Sequence, residues 1–140
     1  VLLPPTCSNI LAIAAPSGGS GPYTSGDIEG VLGTAYSGFA AAALESERIL
    51  GPGARTLVHT GFWGCGAFGG NRMLMTILQA LAADLAGVDL VFHGVDHAGA
   101  SLASEAHARY LSLRSAAEPV PGLRQAIAGM GFSWGEPDGN

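Results

Sequence analysis

Lysine is absent from this chain, and all six basic residues are arginines. They are scattered at Arg48, Arg55, Arg72, Arg109, Arg114 and Arg124, and the formal net charge is -5. A protein that grips duplex nucleic acid through its phosphates carries a basic face. Direct nucleic-acid binding is therefore not expected. The missing lysine also excludes a P-loop, which needs Gly-Lys followed by Ser or Thr. Cysteine is scarce: Cys7 and Cys65 alone make neither a disulfide framework nor a zinc set. No apolar run approaches the about 20 residues of a membrane helix, and the first residues lack the basic start of a secretory signal. The expectation is a cytoplasmic protein with no membrane contact. Charged residues make up only 12% of the chain against 48% hydrophobic, so long disordered tails are not expected.

What is present is an alternation of short apolar runs and helical patterns within 140 residues, the size of one modest domain. Asn9 to Ala14 reads as a buried strand ended by Pro16 and a Gly/Ser cluster. Thr24 and Asp27 have the spacing of a capping box, with Tyr23 and Ile28 as a hydrophobic staple across it. Ile28, Val31, Leu32, Ala35, Phe39 and Ala42 then keep helical spacing until Gly51-Pro52-Gly53. A second strand is read at Thr56 to Val58. A second helix starts near Asn71 and carries Leu74, Ile77, Leu78, Leu81, Ala82 and Leu85 on one face. Gly87 ends it, and Asp89 to Phe92 is a third strand. From Ala98 on, the pattern gives two helices broken around Pro119 to Gly122. Such alternation predicts an α/β fold with a mostly parallel sheet flanked by helices. The start at Val1, just ahead of an apolar strand, leads us to expect a sheet incomplete on its N-terminal side.

Thr60 to Asn71 is the segment where chemistry is expected. A loop that leaves a strand and opens a helix is a standard phosphate position. Gly61, Gly64, Gly66, Gly69 and Gly70 let successive N–H groups form an anion nest and let a diphosphate approach without meeting a Cβ. Phe62, Trp63 and Phe68 are placed to wall a sugar or a base. Gly64, Gly66 and Gly69 also match G-x-G-x-x-G, with Asp96 as a loose acidic partner, but that match alone has little specificity. A glycine-rich turn that merely permits close packing is the alternative.

Thr-Gly-Phe-Trp-Gly-Cys-Gly-Ala-Phe-Gly-Gly, from Thr60 to Gly70, closely resembles the T-G-N-W-G-C-G-A-F-G-G segment of poly(ADP-ribose) glycohydrolases. Asn9 to Ala14 resembles that family's I-V-A-I-D strand, with Ala14 at the Asp position. Ala35 to Phe39 resembles its A-Y-C-G-F helix segment, and Leu78 to Asp89 its L-x-x-A-A-x-x-A-G-x-D helix and turn. The tail around Pro121 to Ile127 is similar to its last helix. The resemblance implies that residues 1–140 are the C-terminal part of a macrodomain-like catalytic domain. It implies an ADP-ribose or poly(ADP-ribose) ligand whose diphosphate and ribose lie on Gly64, Cys65, Gly66, Ala67, Phe68, Gly69 and Gly70. The family's adenine-stacking aromatic falls on Val95, which offers a smaller apolar contact, and Phe62 replaces an Asn beside the loop. No metal or other cofactor is implied.

The family's activity is hydrolysis of ribose–ribose O-glycosidic bonds, which places it in carbohydrate metabolism and in the DNA-damage response. Its acid is a Glu in a Gln-Glu-Glu segment that follows a triple glycine, where it protonates the leaving ribose oxygen. Neither string occurs here, so no catalytic residue is expected in this chain. Glu29, Glu45, Glu47, Glu105, Glu118 and Glu136 lie on helix surfaces or in the tail. The resemblance thus implies a fragment completed by an upstream half of the same domain, or a reader module that binds ADP-ribose without cleaving it. Among other residues, Cys65 at a helix entrance favours a thiolate, with His59 or His93 as imaginable partners. Backbone packing explains a small residue there equally well. His93, Asp96 and His97 have poor spacing for a metal, and read as loop polar residues. Met73 and Met75 are expected to fill packing gaps, and Trp134 to anchor the tail.

Overall fold

A computed structural model describes residues 9–116 and 120–135. The elements run α1 (Ser25–Leu50), β1 (Leu57–Thr60), α2 (Arg72–Ala86), β2 (Asp89–Phe92), α3 (His97–Ser115) and α4 (Val120–Gly129). α1 begins where the capping box predicts. The Asp27 amide donates to Thr24 Oγ1 at 3.1 Å, and the Thr24 amide donates to Asp27 Oδ2 at 2.8 Å. It ends at Gly51, whose φ of 99° suits only glycine. α2 is capped by Asn71, which accepts from the Leu74 amide, and is closed by Gly87 in the left-handed region. Of the break expected around Pro119 to Gly122, Pro119 lies outside the described residues, and Val120 to Gly122 form the first turn of α4.

α2 is the centre of the molecule. It packs against α1, α3 and β2, while α4 packs against α1 and α3. Leu74, Met75, Ile77, Leu78, Leu81 and Ala82 are buried on it, together with Ile28, Val31, Leu32, Ala35 and Phe39 of α1. Burying a Leu or Phe side chain is worth roughly 1.5–3 kcal/mol, so these two facing stripes dominate the core. Leu85, predicted on the same stripe, is 40% exposed in the last turn of the helix. Met75 is fully buried and Met73 partly so.

β1 and β2 form a parallel pair with Leu57 opposite Asp89 and Thr60 opposite Phe92. This pair is the whole sheet among the described residues. The predicted strand at Asn9 to Ala14 is not one. That run makes no ladder among the described residues; Ile10 is 81% exposed and Leu11 37%. Its alternation of apolar residues is satisfied differently: Ile13 and Leu11 lie over Gly38 of α1, where a Cβ would stand 2.6 Å from Ile13 Cγ2. An apolar run becomes a strand only where a neighbouring backbone takes its hydrogen bonds, and no described segment does so.

Candidate functional site

The loop from Gly61 to Gly70 leaves the C-terminal end of β1 and delivers the chain to α2. It folds on itself through backbone bonds. The Trp63 amide donates to Gly61 O at 2.8 Å, Cys65 to Phe62 O at 3.1 Å, Gly69 to Gly66 O at 2.9 Å and Gly70 to Gly64 O at 2.9 Å. Gly64 and Gly69 have φ of 74° and 62°, which other residues adopt at a cost of roughly 1–2 kcal/mol. Six loop amides, those of Gly61, Phe62, Gly64, Gly66, Ala67 and Phe68, have no hydrogen-bond partner among the described residues, and the last four lie in the glycine-rich turn itself. Neither do the amides of Arg72 and Met73 in the first turn of α2, where the helix dipole is positive. The loop therefore offers a cluster of backbone donors to an anion.

Its rim is held from three directions. Inside, Gln79 is 2% exposed; it donates to Gly61 O at 3.1 Å and accepts from Thr60 Oγ1 at 2.5 Å. From the chain start, the Tyr23 hydroxyl accepts from the Asn71 amide at 2.9 Å, and Pro16 packs against Gly64. From the chain end, the Gly135 amide donates to Gly69 O at 2.7 Å. Trp134 stacks on Tyr23 with centroids 4.2 Å apart and planes at 17°. Trp134 is thus the tail anchor the sequence suggests. Its partner Tyr23, and the tail's bond to the loop, carry no signal in local spacing.

The aromatics divide. Phe68 is 43% exposed on the loop surface. Phe62 and Trp63 are partly buried and pack on the core. Phe62 meets the Phe92 ring edge-on at 5.1 Å. Val95 is 95% exposed, in the segment between β2 and α3. That segment follows a second strand end, and Asp96 in it caps α3 by accepting from the Gly99 amide at 2.7 Å. One oxygen of the Asp96 carboxylate is thereby engaged by the helix cap.

At Cys65 the structure favours packing over the thiolate. Burial pushes its thiol up to about 12, against a smaller downward pull from Arg72. The sulfur donates to Trp63 O at 3.6 Å and is a packed, protonated residue. Desolvation outweighs the helix entrance. His59 and His93 instead face each other across the strands, Nδ1 to Nε2 at 2.9 Å, with stacked rings. Among the described residues no three His, Cys, Asp or Glu side chains gather to hold a metal. The described glutamates are exposed and engaged elsewhere: Glu29 with Arg124, Glu45 with Arg48, Glu105 with Arg109, and Glu47 with the Gly53 amide. Glu118 and Glu136 lie outside the described residues.

A surface groove of about 570 Å³ runs between Leu11 to Ala14 and the Gly30, Gly33, Ser37 and Gly38 side of α1. No residue of the glycine loop lines it.

Residues 6–101 match the family Poly (ADP-ribose) glycohydrolase (PARG), Macro domain fold. The match takes in α1, both strands, the glycine loop, α2 and the start of α3, about two thirds of the chain. The chain belongs to that family, and its fold class is the mixed α/β of the macro domain.

Proposed function

We propose that this member of the poly(ADP-ribose) glycohydrolase family uses the loop from Gly64 to Gly70 to hold the diphosphate and ribose of ADP-ribose. The observation that carries the reading is the set of unpartnered amides at Gly64, Gly66, Ala67 and Phe68, beside the positive end of α2. Phe68, exposed at the loop tip, supplies an apolar surface for the ribose. Val95, far more open to solvent, makes at most a small contact with adenine. In this reading the chain is the ligand-holding part of a glycohydrolase. The Glu that protonates the leaving ribose oxygen is supplied from an upstream half of the same domain.

A second reading is a module that binds ADP-ribose without cleaving it. It is favoured by the described glutamates, each tied to an arginine or a turn amide away from the loop. Calorimetric titration of ADP-ribose, paired with a polymer-cleavage assay, separates the two. The glycohydrolase reading expects binding without cleavage by the 140 residues and cleavage once the upstream half is joined. Binding with no cleavage by either form supports the reader. Absence of binding from both contradicts the assignment of the loop.

A further inference from the structure

The six arginines fall into two groups. Five hold carboxylates: Arg48 on Glu45, Arg55 on Asp89, Arg109 on Glu105, Arg114 on Asp84 and Arg124 on Glu29. Arg72 has no carboxylate within ion-pair distance among the described residues. Its guanidinium carbon instead lies 5.1 Å from the centroid of the Phe62 ring.

Its position is electrostatically unfavourable for a purely structural cation. Arg72 is the first residue of α2, where the helix dipole already concentrates positive charge, and the first turn carries no acidic residue to offset it. Phe62 keeps the guanidinium on the loop side. That ring is itself fixed by Phe92 and by Gly99, where a Cβ would stand 3.0 Å from Phe62 Cε2. Arg72 also lies near enough to Cys65 for its charge to act on the thiol. Unpartnered amides, a helix N-terminus and an exposed guanidinium with no carboxylate partner among the described residues thus share one small region, an arrangement that a single anion satisfies together.

Resting on the ADP-ribose reading above, we infer that Arg72 is a ligand-positioning residue whose guanidinium pairs with the diphosphate lying on the glycine loop. It makes the site select pyrophosphate-bearing ligands over neutral nucleosides. The planar fork suits phosphate oxygens better than an ammonium would.

The test is calorimetric titration of ADP-ribose into the wild-type chain, Arg72→Gln and Arg72→Lys. It is run at about 50 mM and about 500 mM salt, where screening differs severalfold. Arg72→Gln is expected to bind about tenfold more weakly at low salt, the loss of one charge-assisted contact. Its affinity should also fall less steeply with salt. Arg72→Lys should recover part of the loss. The thermal midpoint of Arg72→Gln should be unchanged or raised, because a cation leaves the positive end of α2. Equal affinity and salt dependence in wild type and Arg72→Gln would overturn the role of Arg72 and leave the ADP-ribose reading standing. Weaker binding with a lowered midpoint and an unchanged salt dependence would show a merely structural residue, and also overturns it. No binding by the wild type, either alone or joined to its upstream half, overturns the ADP-ribose reading and this inference with it.

Discussion

The amide of Gly70 donates to the carbonyl of Gly64 at 2.9 Å, and this one bond closes the glycine loop at the mouth of α2. The two residues approach so closely that a Cβ on Gly70 would stand 2.6 Å from the Gly64 carbonyl oxygen and 3.0 Å from Met75 Cε. Backbone cannot yield there as a side-chain end can.

Gly70→Ala is therefore expected to destabilise the fold by about 1–3 kcal/mol, the usual cost of overpacking. It should also weaken ADP-ribose binding by opening the loop. Gly33→Ala is the control. Gly33 lies within α1, and a Cβ there would meet nothing within 4 Å, so the same change should stabilise by about 0.5–1 kcal/mol. Urea denaturation of the two variants checks both signs. Equal effects would contradict the close approach at Gly70.

Cys65 should be inert in the folded chain. A thiol held up at about 12 presents over a thousandfold less thiolate at neutral pH than a free one near 8.5. Iodoacetamide at about pH 8 should label Cys65 only after denaturant is added, as read by mass spectrometry of the peptide that contains it. Rapid native labelling would restore the thiolate reading.

Asp84 joins α2 to α3: it accepts from Arg114 Nε at 2.8 Å and from the Tyr110 hydroxyl at 2.9 Å. Arg114, then Tyr110, hold its carboxyl below the ordinary 3.8. Its stabilisation is thus present above that value and is lost as pH falls through the lower folded one. Burial, then Asp84, pushes Tyr110 up to about 12. That contribution is present below the ordinary 10.0 and is lost as pH rises through about 12. Asp84→Asn should lower the thermal midpoint at about pH 7, modestly because the ion pair is half exposed. The gap should close as pH falls below the ordinary 3.8 and through the lower folded value. Tyr110→Phe should lose less stability than wild type between about pH 10 and about 12. Melting curves across pH decide it, and a gap for Asp84→Asn that persists in acid would contradict the linkage.

Much of this architecture was legible in local chemistry. The Thr24–Asp27 box, Asn71 and Gly87 mark helix ends because caps are made by neighbours in sequence. β2 at Asp89–Phe92 and the α2 stripe follow from apolar periodicity. What was misread or left open shares one cause, dependence on distant partners. Asn9 to Ala14 has strand composition but no described strand to pair with. Cys65 has a thiolate's sequence position, yet its protonation is decided by burial. Asp96 looks free in sequence, and one of its oxygens is engaged by the Gly99 amide. In the site, the glycine spacing was readable. The Tyr23–Trp134 stack and the lone guanidinium of Arg72 were not, because they depend on residues brought together only by the fold.

Everything proposed for function depends on ADP-ribose sitting on the loop between β1 and α2. Amide-resolved NMR titration of the chain with ADP-ribose tests that placement most directly. Saturable shifts are expected, centred on Gly64, Gly66, Ala67 and Phe68 and reaching Arg72 and Met73, with little change in α4. Shifts centred on the groove between Leu11 to Ala14 and α1, or none at all, would contradict it.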